Sequence, residues 1–293
     1  MPSDSNPVDS ILHLTDFHFL EVVLNPFKLL NKRFIGNANL WFRRRHEFAV
    51  ENAGPHAEEA LKTGVTQAIL SGDFASTSTP AEFEAGAAFV RELRGRGLDL
   101  FVLPGNHDVY TFESERRRRF EEYFGEWLPP EGLPAARTLS GGTPLVMAPT
   151  VCPNFLLSQG RITDAEVEAV AALANDGDSP MIVTGHYPVL RETYGYSTTP
   201  SRSLRNADAL REALGSAPRP ILYASGHAHR SSYTRDPRHE SLAHLTTGAF
   251  FREARETESH GEFSEIHIFG NGFHVIRHRL YSEWRAEDLA LRD

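Results

Sequence analysis

The chain has 293 residues, with 30 Lys and Arg against 39 Asp and Glu and a formal net charge of −9. With 40% apolar and 24% charged residues it has the make-up of an ordinary folded protein, which excludes a disordered chain and a fibrous repeat. No apolar run reaches the roughly 18 residues a membrane-spanning helix needs, and the acidic balance argues against a nucleic-acid partner. The one cysteine, Cys152, leaves no internal disulfide and no thiolate-rich metal site. The first residues, Met1 to Pro7, show neither the basic nor the apolar part of a secretory signal, so a cytoplasmic location is expected.

Short apolar runs that stop at a polar, glycine- or proline-bearing turn read as buried strands. The first is Ile11-Leu12-His13-Leu14, ending at Thr15-Asp16, and the second is Ala68-Ile69-Leu70, ending at Ser71-Gly72-Asp73. Thr79-Pro80-Ala81-Glu82 is a capping box with proline at the first helical position, so a helix runs from there to about Arg94. Leu100 to Leu103 is a third strand, closed by Pro104-Gly105-Asn106, and a helix is expected from Glu113 to Trp127. A second capping box, Thr163 to Glu166, opens a helix with Val167, Val170, Ala171 and Leu173 on one face. Strands follow at Met181-Ile182-Val183 and Ile221-Leu222-Tyr223-Ala224, then a hairpin from Ser264 to Leu280 turning at Asn271-Gly272. The acidic, aromatic tail, residues 281–293, is expected to be a terminal helix. The alternation predicts α/β architecture in one domain over residues 8–280, with an insert at about 19–60.

The residues just beyond the strands carry the chemistry. Five strand ends bear Asp16-Phe17-His18, Gly72-Asp73, Gly105-Asn106-His107-Asp108, Gly185-His186 and Gly226-His227-Ala228-His229. In open α/β sheets the carboxyl ends of strands line the ligand crevice. A lone His or Gly-Asp at such a place is usually a surface group or a turn. Eight side chains at five successive strand ends, namely Asp16, Asp73, Asn106 and the five His, point to one site. Oxygen and imidazole donors without thiolate suit Zn, Mn, Fe or Ni, and eight exceed the needs of one ion.

In this order the five blocks resemble the calcineurin-like metallophosphoesterase superfamily, whose pattern is D-x-H, G-D, G-N-H-D/E, G-H and G-H-x-H. The resemblance covers about residues 10–230 and implies a four-layer α/β/β/α sandwich. It implies that Asp16, His18 and His229 hold one divalent ion, that Asn106, His186 and His227 hold another, and that Asp73 bridges them, the ions being Mn, Fe or Zn. It places His107 over the leaving group, with Asp108 orienting it. The implied reaction is hydrolysis of a phosphodiester or pyrophosphate by metal-activated hydroxide.

Residues 22–46 contain no acidic side chain but hold Lys28, Lys32, Arg33, Arg43, Arg44 and Arg45 among Phe27, Leu29, Leu30, Phe34, Ile35, Leu40, Trp41 and Phe42. Such a segment suits an anionic amphiphile or a peripheral contact of residues 27–45 with the inner face of a membrane. It equally suits a helical insert with a solvated basic face. The string from Asn31 to Leu40, followed by Arg43-Arg44-Arg45, is similar to bacterial UDP-2,3-diacylglucosamine pyrophosphohydrolases of the chlamydial type. That similarity implies a lipid-linked nucleotide as substrate, with Lys32 and Arg33 at its phosphates. Arg230, next to His229, is a third candidate phosphate contact, and Tyr110 and Tyr187 are candidates to line the pocket. Arg116 to Arg119, flanked by glutamates, reads as a solvated helix with i,i+4 pairs. Competing readings are a cyclic-nucleotide phosphodiesterase, a nuclease, and a non-catalytic protein-binding scaffold on the same fold.

Overall fold

The computed structural model describes residues 6–21, 47–154, 157–193, 196, 201–254 and 258–293. Its strands are β1 (Asp9–Leu14), β2 (Gln67–Leu70), β3 (Asp99–Val102), β4 (Ala135–Thr138), β5 (Pro144–Met147), β6 (Gly160–Arg161), β7 (Met181–Thr184), β8 (Leu204–Arg205), β9 (Ile221–Ser225), β10 (Ser232–Arg235), β11 (Leu242–Thr246), β12 (Glu262–Phe269), β13 (Gly272–Leu280) and β14 (Trp284–Asp288). Its α-helices are α1 (Ala53–Lys62), α2 (Pro80–Gly95), α3 (Phe112–Arg116), α4 (Arg119–Phe124), α5 (Asp164–Ala174) and α6 (Ala207–Gly215). One six-stranded sheet has the order β14-β13-β12-β1-β2-β3 and the other β10-β11-β9-β7-β5-β4, with β6 and β8 forming a separate pair.

Side chains alternate across a strand, and here that alternation sorts the core into layers. Ile11, Ile69, Ile182 and Leu222 meet between the two sheets. Their neighbours Leu12, Leu14, Ala68 and Leu70 face outward onto α1 and α2, where Ala57, Ala60, Phe83 and Ala87 cover them. On the other sheet Met181, Val183, Ile221 and Tyr223 face α5 and α6 through Val167, Val170, Leu210 and Leu214. The result is the expected four-layer α/β/β/α sandwich. Both capping boxes form, with Thr79 and Thr163 accepting the Glu82 and Glu166 backbone N–H groups. Among the described residues no helix is long and apolar enough to cross a membrane.

Two expectations are corrected. The helix read from Glu113 to Trp127 is broken between α3 and α4, at Arg118, whose φ is +50°. The break brings Arg119 back onto Glu113 at 2.6 Å while Arg117 holds the same carboxylate oxygen at 2.9 Å, which a continuous helix could not arrange. The tail is also not helical. Residues 284–288 are β14, antiparallel to β13, and Trp284 packs on Phe263 and His56 at ring distances of 5.5 and 5.0 Å. Partial burial of that indole and an open sheet edge override the helical composition. Residues 22–46, which hold most of the expected insert together with Lys32 and Arg33, lie outside the described residues.

Candidate metal centre

β1, β2 and β3 run parallel in one sheet, and β5, β7 and β9 run parallel in the other, so the turns after β1, β2, β3, β7 and β9 carry all five polar blocks. Five of the expected ligands sit in the left-handed backbone region: Asp16, His18, Asp73, His227 and His229, with φ of 56°, 53°, 57°, 63° and 54°. Each such residue costs about 1–3 kcal/mol and persists only where its surroundings over-determine it. Here Asp16 N–H donates to Gly72 O at 3.0 Å and His18 N–H to Asp73 O at 2.8 Å. His227 N–H donates to Asp16 Oδ2 at 2.9 Å, which also accepts from Thr15 Oγ1. The turns after β2 and β3 cross so closely that a Cβ on Gly72 would lie 2.1 Å from Gly105 N.

Two groups of donor atoms result. In the first, His229 Nε2 lies 3.1 Å from Asp16 Oδ1 and 3.1 Å from His18 Nε2, and His18 Nε2 lies 3.6 Å from Asp73 Oδ2. One atom from each of these four residues falls within 4.8 Å of all the others. In the second, Asn106 Oδ1 lies 3.1 Å from His186 Nε2 and 2.9 Å from His227 Nδ1, and His186 Nε2 lies 3.4 Å from Asp73 Oδ2. Asp73 Oδ2 therefore faces both groups, while its Oδ1 accepts from His107 N–H at 2.7 Å.

These residues fit metal ions. Asp16 Oδ1 is fully buried and takes no hydrogen bond, a costly state for a carboxylate oxygen unless a cation meets it. The imidazoles are also oriented as ligands. His186 Nδ1–H donates to Ser71 O at 2.8 Å and His227 Nε2–H to Arg202 O at 3.2 Å, so the opposite ring nitrogen of each faces the group. Burial opposes the charge on Asp73, but His186 and His107 outweigh it and hold its carboxyl well below the usual range. Burial likewise opposes the His186 cation, and Asp73 wins, raising the imidazole to about 9. Beneath the site, His13 bonds Thr247 Oγ1 at 2.7 Å and Ser71 Oγ at 2.8 Å, and burial lowers it to about 3, so it stays neutral.

His107 lines the cleft above the two groups, and its ring lies 5.0 Å from that of His18. Its expected partner is corrected. Asp108 does not orient it, because that carboxylate turns inward and accepts from Ala75 N–H at 2.8 Å and Gly105 N–H at 2.7 Å. The Ser76 carbonyl holds His107 instead, accepting from Nδ1–H at 2.6 Å. Asp108 ties the turn after β3 to the turn after β2, and its burial together with the charge of Asp73 pushes its carboxyl up to about 8. Tyr110 and Tyr187 do not line the cleft; they back the imidazoles, at ring distances of 5.3 Å from His107 and 4.1 Å from His227.

The cleft holds about 250 Å³. Arg230, the candidate phosphate contact, lines it, and Arg202, Arg252, Tyr196, Glu47 and Ser158 join it without having been foreseen. They come from loops, and no motif in the sequence marks them.

The family model described as calcineurin-like phosphoesterase matches residues 10–231. No curated protein matches the chain. A dimetal phosphatase from Danio rerio has a similar fold, with a TM-score of 0.62 at 13% identity over 97% of this chain and 100% of that one. Purple acid phosphatase PPD1 from yellow lupin seeds aligns with a TM-score of 0.56 at 11% identity over 97% of this chain and 54% of that one. With all five motif blocks inside the matched span, the chain belongs to the calcineurin-like phosphoesterase family and is a metal-dependent hydrolase of phosphoric esters.

Proposed function

We propose a dinuclear metallohydrolase that opens a phosphodiester or pyrophosphate bond. The reading rests on the Asp73 carboxylate, which offers one oxygen to His18 at 3.6 Å and to His186 at 3.4 Å. Asp16, His18 and His229 would hold one ion and Asn106, His186 and His227 the other, with Asp73 between them. Bound divalent ions supply Lewis-acid charge at phosphoryl oxygens and make water acidic enough to ionise near neutral pH. The chain's own residues do the rest. Arg202, Arg230 and Arg252 place positive charge along the cleft where an anionic ester would lie. The Ser76 carbonyl fixes His107 Nδ1–H, and a proton held at Nε2 neutralises the departing oxygen. Asp16, His18, Asp73 and His186 are buried beneath the cleft, and the lower dielectric there strengthens their charges.

For the substrate we favour a lipid-linked nucleotide of the UDP-2,3-diacylglucosamine kind. The basic, aromatic composition of residues 27–45 supports it, with Lys32, Arg33 and Arg230 at the phosphates and that segment resting on an anionic membrane face. The test is a panel of bis-p-nitrophenyl phosphate, cyclic AMP and a UDP-sugar lipid with added Mn²⁺, for the wild type and Asp73→Asn. Turnover of the first and third that falls about 10²-fold or more in Asp73→Asn is expected. No turnover of any substrate would sink the hydrolase, and turnover of cyclic AMP alone would sink the lipid.

A further inference from the structure

β6 and β8 belong to neither six-stranded sheet, yet the chain builds a longer ribbon around them. Ser158 N–H donates to Ser201 O at 3.0 Å, Gly160 N–H to Ser203 O at 3.2 Å and Ile162 N–H to Arg205 O at 3.3 Å. The end of the ribbon that carries Ser158 and Arg202 lines the cleft over the metal centre. Two strands gain little stability from their own few bonds, so the hold on this ribbon must come from its surroundings.

Two tyrosines supply part of that hold, and both flank His227. The Tyr187 hydroxyl donates to Ser158 O on one strand, and its ring stands 4.1 Å from the His227 ring. Tyr196 takes the other strand. Its hydroxyl accepts from Leu204 N–H at 3.1 Å and donates to Arg202 O at 3.4 Å, and its ring meets His227 edge-on at 6.0 Å. Arg202 O also accepts from His227 Nε2–H at 3.2 Å. A carbonyl oxygen has two lone pairs, so this one atom serves both donors. With the proton at Nε2, the Nδ1 lone pair is the one offered to a cation, and Nδ1 stands 2.9 Å from Asn106 Oδ1. The other imidazole of this group is held differently: His186 donates to Ser71 O, in the buried turn after β2. One imidazole of the second group is therefore oriented by a sheet and the other by the ribbon.

We propose that Tyr196 is a positioning residue of the metal centre: by fixing the direction of the Arg202 carbonyl, its hydroxyl holds His227 in the tautomer and orientation that bind the second ion. This deepens, and rests on, the dinuclear reading above. Arg202 then has two tasks, its carbonyl steadying a ligand while its side chain lines the cleft. Without the hydroxyl, the Tyr196 ring can still pack beside His227, but the carbonyl is free to turn away.

Calorimetric titration of the metal-free protein with Mn²⁺ tests it, for the wild type, Tyr196→Phe and Arg202→Gln. In Tyr196→Phe one of the two binding steps is expected to weaken about tenfold or more, the usual effect of losing a group that orients a ligand, while the other step changes far less. Arg202→Gln keeps both the carbonyl and the Tyr196 hydroxyl, so it should bind the two ions no more weakly than the wild type. Two unchanged steps in Tyr196→Phe, or equal losses in both, would overturn the proposal, as would a loss of the same size in Arg202→Gln. A second readout needs no variant: in the metal-free wild type the ¹⁵N shifts of the His227 ring should place the proton on Nε2. A proton on Nδ1 would overturn the proposal even if Tyr196→Phe fails to fold. The two readings also fail separately. A wild type that takes up fewer than two ions refutes the dinuclear centre, whereas two ions held equally well by Tyr196→Phe refute only the role of Tyr196.

Discussion

Gly105→Ala tests whether the crossing of two turns sets the position of Asp73. A Cβ on Gly105 would lie 2.1 Å from Asp73 N and 2.2 Å from Asp73 Oδ1, whereas ordinary contact begins near 3.4 Å. One of the two backbones must therefore move by about 1.3 Å, and neither is a flexible side-chain end. Asp73 Oδ2 stands 3.6 Å from His18 Nε2 and 3.4 Å from His186 Nε2, so a shift of that size takes the shared oxygen away from one group or the other. Overpacking of this kind costs about 1–3 kcal/mol, which lowers Tm by roughly 2–12 °C in a domain of this size. Turnover suffers more, because a misplacement of about 1 Å costs about 10²-fold. Gly95→Ala is the control: it lies at the end of α2, nothing stands within 4 Å of its added Cβ, and it should hold stability or raise it by up to about 1 kcal/mol. Scanning calorimetry of the metal-free proteins, Mn²⁺ titration and bis-p-nitrophenyl phosphate turnover give the three readouts. A Gly105→Ala protein with wild-type Tm and wild-type Mn²⁺ affinity would refute the role given to the crossing.

Two further outcomes are expected. His107→Gln should keep both ions by elemental analysis yet lose about 10²–10⁴ in turnover, worst with poor leaving groups; a metal-depleted protein would show that His107 is a ligand after all. Ion uptake should expel a proton below pH 9, because without metal Asp73 raises the His186 imidazole to about 9 against the opposing effect of burial. The protonated form is the one that cannot ligate, so affinity should rise about tenfold per pH unit from pH 7 to about 9 and then level off. Calorimetry in buffers of different ionisation enthalpy reads that proton directly, and an affinity flat from pH 7 to 9 would contradict the pairing.

Much of the site was legible because strands β1, β2, β3, β7 and β9 are short apolar runs with hard stops, and each stop is itself a ligand block. The layer assignment followed less directly, since Ile11 and Leu12 are equally apolar and only the pleat separates them. The His107 partner could not be read at all. A carboxylate one residue away looks like the natural choice, but neighbouring side chains diverge at a turn, and the actual acceptor, Ser76 O, is a backbone atom with no sequence signature. The tail failed for a different reason: its composition is helical, while Trp284 is claimed by an aromatic cluster assembled from residues far away in the chain.

The residues between the ligands explain how so strained a site is held. Asp16 and His18 flank Phe17, and Phe74 follows Asp73, so each turn sends polar groups up into the site and one ring down. Phe17 and Phe74 are fully buried in the core beneath the sheet and stack at 4.8 Å with planes 16° apart. Phe250 meets Phe17 edge-on at 5.6 Å and Phe251 at 6.1 Å. Burying such a ring contributes about 1.5–3 kcal/mol, and a well-set aromatic pair adds about 0.5–1.5 kcal/mol. These gains are of the same order as the cost of three left-handed residues at Asp16, His18 and Asp73. The aromatic at the centre of Asp-Phe-His is therefore part of the metal centre in a mechanical sense. It anchors the backbone from below, so that two turns of different strands can present their donors at fixed spacing while their own conformations resist it.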